Sequence, residues 1–389
     1  MFDFSHFISD YYAIALAIAM LVALLFLSFY YGLFHLRVGI WGRKSDSEVN
    51  KDSLAKGRLP GVSVVLTAHN DAAWLKENLV YLLEQDYPDF EVVVVDYLSR
   101  DDTPYVLRLL KDYYPHLKIV PFKEDVNLFQ GKKYPLSIGI KSAKNDILLL
   151  ADPDCTPKNL NWLRGMVRGY ENDKVKIVLG YCGLKSDNTL LGALQQYDNI
   201  AYSANYLGCT LIGHPYTGSG RNLSYSRDFF FEKGAFISHY SVAGGADDLF
   251  VYQNATKRNT RICINGDARI TTEPQKTFAL WHKERLDRVA TRNWHSFRGR
   301  LAEDLPAIAN LLFYTAGILL ITGGCLPWYF VAPVALLKWI WQIISFSMLS
   351  RRFDAGLIYL FAPIFEIYFI IANTILILIP LRSNRKFDK

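Results

Sequence analysis

The sequence predicts an α/β fold flanked at both ends by transmembrane helices. Uncharged apolar stretches lie near each end of the 389 residues, and short β-branched runs alternate with helical patterns between them. One apolar run ends in two carboxylates one residue apart, Asp152 and Asp154. The length suits one large domain or two ordinary ones.

The N-terminal apolar stretch predicts a membrane anchor over residues 1–36. Tyr11 to Phe34 is 24 residues without a charge, enough to cross a bilayer. A cleavable signal peptide fits poorly, because no Lys or Arg precedes the stretch. Six Lys and Arg residues follow the stretch within the linker over residues 37–60, whereas the only charged residues before the stretch are Asp3 and Asp10. The positive-inside rule therefore places the N-terminus outside and the following domain in the cytoplasm.

The C-terminal region, residues 305–382, predicts two to three transmembrane helices. The candidate spans are Ile308–Cys325, Trp328–Leu349 and Leu357–Pro380. Three crossings would place the tail, residues 383–389, outside, although its basic residues favour the inside. A re-entrant third segment bent near Pro363 would resolve this conflict, so the number of spans stays open.

Charge and cysteine content narrow the classes of partner. The net charge of +6 is mild, and the basic residues cluster beside apolar segments, which favours membrane lipid over nucleic acid. None of the five cysteines forms a C-x-x-C pair, which suits reduced cytoplasmic thiols.

The middle of the chain, residues 61–280, predicts a parallel α/β domain. Val62–Leu66 and Glu91–Val95 are typical of strands buried on both faces, and Ala72–Gln85 between them has one apolar helical face. A strand–helix–strand unit of this kind implies parallel strands. The elements predicted after it are a helix at Thr103–Tyr113, a strand at Leu117–Val120, a helix at Pro135–Ala143 and a strand at Ile147–Ala151.

The Asp152-Pro153-Asp154 run predicts a metal site. Extended residues i and i+2 point the same way, so the two carboxylates can converge on one point. Such hard oxygen ligands suit Mg²⁺ or Mn²⁺, and ligands bind at the carboxyl ends of strands in open α/β sheets. A simple turn is the alternative, because Asp and Pro are both common in turns.

Other strand ends also carry polar groups. Thr67, His69 and Asn70 follow the first strand, and Asp96 follows the second, where it could grip a nucleoside or serve only the fold. Asp102 is expected to cap the next helix.

Two glycine-containing segments precede helical patterns. Gly131-Lys132-Lys133 could meet phosphates, with a solvated lysine pair as the alternative. Gly244-Gly245 precedes Asp247 and Asp248, one of which could act as a general base, or both could serve the first turn of a helix. Neither a P-loop nor a dinucleotide-binding motif is present in the sequence.

The segment over residues 281–304 predicts an amphipathic interfacial helix. Apolar residues share one helical stripe from Leu286 to Leu301, with arginines interspersed. Such a helix can lie on an anionic leaflet, and packing on a protein core is the alternative.

Taken in order, these segments resemble the family 2 glycosyltransferases, particularly the membrane-anchored bacterial members. The resemblance spans roughly residues 60–295. The matching segments are Val62–Asn70, Gln85–Pro88 with Glu91–Asp96, Ser99–Thr103, Gly131–Lys133, Asp152–Cys155, Gly218–Tyr225 and Asp247–Phe250.

The resemblance implies a GT-A (nucleotide-diphospho-sugar transferase, Rossmann-like) fold, inversion at the anomeric carbon, and a nucleotide-sugar donor held with Mg²⁺ or Mn²⁺. By the same resemblance, Asp96 would grip the nucleoside, Asp152 would lie near the ribose or donor, and Asp154 would hold the metal. A carboxylate within Gly245–Asp248 would deprotonate the acceptor. The remaining implied positions are Thr67, His69, Asn70, Lys132 and Lys133 for the donor, and Gly220, Arg221 and Asn222 for the acceptor region.

Two departures from the family pattern affect the expected activity. The base segment can be aligned with Ala246, Asp247 or Asp248 as the base; we favour Asp247, with Asp248 next. The Q-x-x-R-W motif of processive synthases is absent, since its nearest candidate, Glu284–Val289, has neither the Gln nor the Trp.

The expected function is therefore a membrane-bound inverting glycosyltransferase that adds one sugar. It would act on a lipid-linked or glycan acceptor at the cytoplasmic leaflet of the bacterial inner membrane, in cell-envelope polysaccharide or glycolipid synthesis. A processive polysaccharide synthase and a catalytically impaired scaffold are the alternatives.

Overall fold

The chain divides into an α/β unit and a helical unit. The computed structural model describes residues 4–42, 59–122, 131–170, 172–240, 242, 244–295 and 297–378. Among these residues, the helical unit comprises residues 4–41, 200–208 and 297–378, and the α/β unit comprises residues 42, 59–122, 131–170, 172–199, 209–240, 242 and 244–295. Most of the predicted basic linker and the basic tail lie outside the described residues.

A mixed sheet of seven strands forms the centre of the α/β unit. Its spatial order is β3-β2-β1-β4-β8-β6-β9, and β5-β10-β7 form a second, three-stranded sheet. The bounds are β1 Val62–Ala68, β2 Phe90–Tyr97, β3 Leu117–Phe122, β4 Ile147–Leu150, β5 Thr156–Pro157, β6 Ile177–Leu179, β7 Tyr181–Leu184, β8 Leu223–Ser226, β9 Thr260–Ile262 and β10 Arg269–Thr272.

Strands β1 to β4 are parallel, as the strand–helix–strand pattern predicts. Strand β1 pairs with β2 and with β4, so that Val65 lies beside both Val93 and Leu150. Strands β2 and β3 lie on one side of β1, and β4 lies on the other side of β1. The carboxyl ends of β1 and β4 therefore border a topological switch point, where sheets of this type bind ligands.

Helices cover the sheet and supply its core. In the Ala72–Leu83 helix, Leu75, Leu79 and Leu82 are buried against β1 and β2 residues such as Val64. The other helices of this unit are Thr103–Tyr113, Lys133–Ser142, Trp162–Val167, the first half of Leu190–Leu211, Arg227–Glu232, Asp248–Asn254 and Phe278–Ala290. The predicted α/β architecture is confirmed, with strand and helix bounds shifted by a few residues.

Within the described part of the chain, four helices are long and apolar enough to cross a membrane, and they lie towards both ends as predicted. They cover Tyr11–Ile40, Asp304–Thr322, Trp328–Arg352 and Ile358–Ile375. Their helical segments are Phe4–Tyr30, a π-helical turn Tyr31–Leu36, Arg37–Ile40, Phe297–Thr322, Trp328–Arg352, a 3₁₀ turn Ile358–Phe361 and Ala362–Leu378.

Two sequence expectations about these helices change. Pro363 lies in the first turn of its α-helix, where proline fits without bending the helix, so it gives a re-entrant bend no support. The continuous helix expected over residues 281–304 is divided: one helix ends at Ala290, a 3₁₀ turn covers Thr291–Trp294, and the next helix begins at Phe297.

One polar cluster joins all four membrane-type helices inside the helical unit. The Lys338 ammonium pairs with the Glu366 carboxylate, and both residues are at least 95% buried. Tyr31 Oη donates to Glu366 Oε1 at 2.5 Å, and Tyr314 Oη donates to Oε2 at 3.0 Å. Trp339 Nε1 donates to Tyr314 Oη. Buried charges of this kind persist only when paired, so the cluster ties the four helices to one another.

Candidate functional site

A cleft of about 430 Å³ opens at the switch point between β1 and β4. It lies where the sequence places the polar strand ends, because parallel strands present their carboxyl ends at one edge. Its lining residues are Thr67, Ala68, His69, Asp71, Trp74, Tyr97, Gly131, Lys132, Pro135, Asp152, Pro153, Asp154 and Arg221.

The two aspartates after β4 lie together in this cleft. Asp152 Oδ1 accepts from Lys132 Nζ at 2.9 Å, and Asp154 Oδ2 accepts from Thr272 Oγ1 at 2.6 Å. Burial alone would raise the pKa of Asp152, but Lys132 and Arg221 beside it hold that pKa below its usual value. Asp152 is therefore ionised at neutral pH, as a metal ligand must be.

Both aspartates face one cation, the Arg221 guanidinium. Arg221 Nε lies 3.6 Å from Asp152 Oδ2, and Arg221 Nη2 lies 4.0 Å from Asp154 Oδ2. Two carboxylates that reach one guanidinium can also reach one divalent ion, so the donor set fits Mg²⁺ or Mn²⁺. The described residues contain no group of three or more His, Cys, Asp or Glu placed to hold a metal. An ion here would need phosphate oxygens and water to complete its coordination.

The loops after β1 and β2 are bonded to each other. Asn70, at a left-handed φ of 58°, accepts from Arg100 N through Oδ1, and its own N–H donates to Ser99 Oγ. His69 Nδ1 lies 2.6 Å from Tyr97 O. The side chain of Asn70 therefore braces the rim, whereas Thr67 and His69 line the cleft itself.

Asp101 takes the capping role that the sequence suggested for Asp102. Its carboxylate accepts from Thr103 N at 3.0 Å and from Ala72 N at 3.1 Å. It thus serves the first turns of two helices, whereas Asp102 makes no side-chain capping bond.

Asp96 is the penultimate residue of β2, lies beside Ala68 of β1 and is 8% exposed. Its Oδ1 is buried and has no hydrogen-bond partner among the described residues. A buried carboxylate oxygen without a donor is costly, so this atom is suited to accept an N–H or O–H from a ligand.

Lys133 points away from the cleft, whereas Lys132 lines it. Lys133 Nζ donates to His239 O at 2.5 Å and to Val242 O at 2.8 Å, and its side chain is buried. Burial lowers the pKa of Lys133 to about 8, against the opposing charges of Asp248 and Asp247. The structure therefore gives Lys133 the task of anchoring the segment before the acidic pair, not that of contacting phosphate.

The acidic pair lies at the start of the Asp248–Asn254 helix. Asp247 Oδ2 accepts from Gly220 N at 2.8 Å, which fixes the turn that carries Arg221. Asp248 accepts from Leu249 N and from Thr291 Oγ1. Burial and then the charge of Asp247 raise the pKa of Asp248 to about 6. Neither aspartate is among the residues that line the 430 Å³ cleft.

Residues 63–230 match the sequence profile described as Glycosyl transferase family 2. This domain is a family 2 glycosyltransferase domain. Over 189 residues the chain is 29% identical to glycosyltransferase AglE of Haloferax volcanii, covering 48% of this chain and 59% of the relative. It is 24% identical to poly-beta-1,6-N-acetyl-D-glucosamine synthase of Staphylococcus epidermidis, covering 45% and 41%. The chain thus spans about half the length of these curated relatives.

A solved structure has a fold similar to that of this chain. It is the mannosyltransferase PcManGT of Pyrobaculum calidifontis in complex with GDP-Man and Mn²⁺, with a TM-score of 0.55 and 19% identity. The alignment covers 92% of this chain and 99% of that one. The prediction of a GT-A fold is confirmed, and so is the prediction of a family 2 glycosyltransferase domain for residues 63–230.

The glycosyltransferase cleft gathers part of the residue set implied by the family resemblance. Thr67, His69, Lys132, Asp152, Asp154 and Arg221 line it. Asn222 does not, since it is fully buried: its Oδ1 accepts from Trp162 Nε1, and its Nδ2 donates to Tyr181 O and Ala268 O. Its side chain is therefore unavailable to an acceptor.

Two polar residues of the site have no signal in the sequence. Thr272 ends β10 and donates to Asp154, 118 positions away, and Glu284 lies 2.8 Å from Arg221 across 63 positions. Neither belongs to a local motif, so only the tertiary fold reveals them.

Proposed function

We propose that the protein is a membrane-bound inverting glycosyltransferase. It moves one sugar from a nucleotide-sugar donor, held with Mg²⁺ or Mn²⁺, to a lipid-linked or glycan acceptor. One observation carries the proposal: Asp152 and Asp154 both lie beside the Arg221 guanidinium in a cleft at the switch point of the sheet, within a family 2 glycosyltransferase domain.

The proposed donor site follows from the chemistry of the cleft. Asp154 and Asp152 would hold the divalent ion, which neutralises the diphosphate when bound. Lys132, exposed at the cleft rim, adds a cation for phosphate oxygens. Asp96 would accept from the nucleoside through its unpaired Oδ1.

The proposed transfer step assigns Asp247 as the general base. Asp247 takes the proton of the acceptor hydroxyl as that oxygen bonds to the anomeric carbon. The bond from this carbon to the diphosphate oxygen breaks, and its electron pair leaves with the nucleoside diphosphate. Attack on the face opposite the leaving group inverts the anomeric configuration. The bond from Gly220 N fixes one oxygen of Asp247, so the other is the one to receive the proton.

The membrane-type helices support a lipid-linked acceptor and a bilayer location. Four such helices flank the glycosyltransferase domain in sequence. The distribution of basic residues supports a cytoplasmic domain at the bacterial inner membrane. A tag fused before the first helix should then be accessible from outside sealed cells, while a tag in the glycosyltransferase domain should be protected. The opposite labelling pattern would overturn this orientation.

A donor panel tests the activity itself. Purified protein in lipid nanodiscs is incubated with UDP- and GDP-sugars, Mn²⁺ and a polyprenyl phosphate or lipid-extract acceptor, and nucleoside diphosphate release is measured. We expect release with at least one donor and a product one sugar longer than the acceptor. Long products would favour a processive synthase, and no release with any donor would favour a scaffold.

A further inference from the structure

Glu284 holds the guanidinium that faces the two cleft aspartates. Arg221 Nη1 donates to Glu284 Oε1 at 2.8 Å, whereas the same guanidinium lies 3.6 Å from Asp152 and 4.0 Å from Asp154. Only the first distance is that of a charge-assisted hydrogen bond. Arg221 is therefore bonded to Glu284 and merely adjacent to the aspartates.

Hydrogen bonds within the protein hold the Glu284 side chain in place. Glu284 Oε2 accepts from Gln275 Nε2 at 3.2 Å. Gln275 in turn exchanges two hydrogen bonds with Gln195, through its backbone N–H and its carbonyl oxygen. Burial alone would raise the pKa of Glu284, but Arg221 and Arg288 hold it below its usual value, so Glu284 stays charged.

The backbone that carries Arg221 is fixed on both sides. Gly220 N is bonded to Asp247, and the Asn222 side chain makes three buried hydrogen bonds. Only the Arg221 side chain is thus able to change its partner. Its Nε is buried and has no hydrogen-bond partner among the described residues, so it could gain one by moving onto Asp152.

Without Glu284, Asp152 and Asp154 would be the remaining carboxylates within 4.0 Å of the guanidinium among the described residues. Arginine binds carboxylates in a fork geometry that uses two N–H groups at once. A guanidinium bonded in that way would cover the oxygens that a divalent ion needs. Glu284 thus keeps the guanidinium off Asp154 and off Asp152 Oδ2, the oxygen of Asp152 that does not bind Lys132.

We propose that Glu284 is a positioning residue that keeps Arg221 beside the aspartate pair instead of on it, and so sets the affinity of the donor site for divalent metal. The proposal rests on the proposed function, because it takes Asp152 and Asp154 as the metal ligands. It concerns Glu284, a residue outside the sites implied by the family resemblance.

A double-mutant cycle on metal binding tests the proposal. The variants are Glu284→Gln, Arg221→Met and their combination, in the full chain in nanodiscs. Free Mn²⁺ is measured by electron paramagnetic resonance, with Mn²⁺ alone and with saturating UDP or GDP. We expect Glu284→Gln to weaken Mn²⁺ binding about fivefold or more when Arg221 is present, and by less than about twofold in the Arg221→Met background.

The Glu284→Asp variant tests whether the position of the carboxylate matters in addition to its charge. It keeps the negative charge but shortens the side chain by one methylene, so it can no longer hold the guanidinium at 2.8 Å. We expect it to weaken Mn²⁺ binding nearly as much as Glu284→Gln. The matched control is Glu77→Gln on the exposed face of the Ala72–Leu83 helix, which should leave Mn²⁺ binding unchanged. Melting temperatures confirm that each variant is folded.

The outcomes distinguish this proposal from the proposed function. Equal effects of Glu284→Gln in both backgrounds, or normal binding by Glu284→Asp, would mean that the charge of Glu284 acts only through space and would overturn the positioning role. If the wild-type protein binds no Mn²⁺ with either nucleotide, the metal assignment of Asp152 and Asp154 fails, and the positioning role fails with it.

Discussion

Asp247→Asn should abolish most sugar transfer while leaving the site intact. The asparagine keeps an oxygen that can accept from Gly220 N, so the turn that carries Arg221 retains its 2.8 Å bond. What is lost is the ability to take a proton. A general base contributes about 10² to 10⁴ in rate, which corresponds to about 2.7 to 5.4 kcal/mol in the barrier.

Asp248→Asn should be milder, with a loss below about tenfold. Both oxygens of Asp248 accept bonds from its own surroundings, one from Leu249 N and one from Thr291 Oγ1. Asp248 therefore braces the start of its helix and is less available to an acceptor. The Asp248→Asn variant also removes the negative charge that Asp248 places beside Asp247.

The assay compares initial rates of nucleoside diphosphate release for both variants at saturating donor and varied acceptor. Nucleotide binding is measured separately, to show that the donor site of each variant is unchanged. Near-normal turnover of Asp247→Asn would refute the base assignment. A large loss in Asp248→Asn alone would shift the base by one residue, and a loss of nucleotide binding in Asp247→Asn would mean that the residue has a structural role.

Three further outcomes follow from the structure. Asp154→Asn should lose most turnover. A chelator should abolish the activity of the wild-type protein, and added Mn²⁺ or Mg²⁺ should restore it. Full activity in excess chelator would exclude a metal at this site. Because burial raises the pKa of Asp248 to about 6, the folded state holds its proton more tightly than the unfolded state. Its stabilising contribution is therefore present at low pH and falls by up to about 3 kcal/mol as pH rises from about 4 through 6. Asp248→Asn should flatten this slope in denaturation experiments, and an unchanged slope would contradict the assignment. Lys338→Met should destabilise the helical unit by about 3 to 5 kcal/mol, because it leaves the buried Glu366 carboxylate unpaired. Adding Glu366→Leu should recover most of this stability. A double variant as unstable as Lys338→Met would show that the unpaired carboxylate does not cause the loss.

The sequence predicts most of the α/β unit because its signals are local. Strands such as Val62–Ala68 are mostly apolar, β-branched runs that are buried on both faces, and the Thr103–Tyr113 helix has the predicted bounds. The parallel pairing follows from the strand–helix–strand pattern, and the pairing in turn brings Thr67 near Asp152.

Other features depend on contacts far apart in sequence, so no local pattern reveals them. Lys132 and Lys133 are identical in type and adjacent, yet one faces the cleft and the other anchors the segment containing His239, because the helix starts at Lys133 and turns the two side chains apart. Glu284 acquires its role from Arg221, 63 positions away. Capping by Asp101 in place of Asp102 depends on a second helix start, at Ala72, that shares the same carboxylate.

The position of a bound metal tests the proposed donor site most directly. Crystals of the protein with Mn²⁺ and a nucleoside diphosphate, measured at the manganese absorption edge, give an anomalous difference map. We predict one strong peak beside the carboxylates of Asp154 and Asp152, which would hold the ion that neutralises the diphosphate. A peak elsewhere, or a diphosphate bound outside the cleft with no peak at these aspartates, would contradict the assignment of Asp152 and Asp154 as the metal ligands.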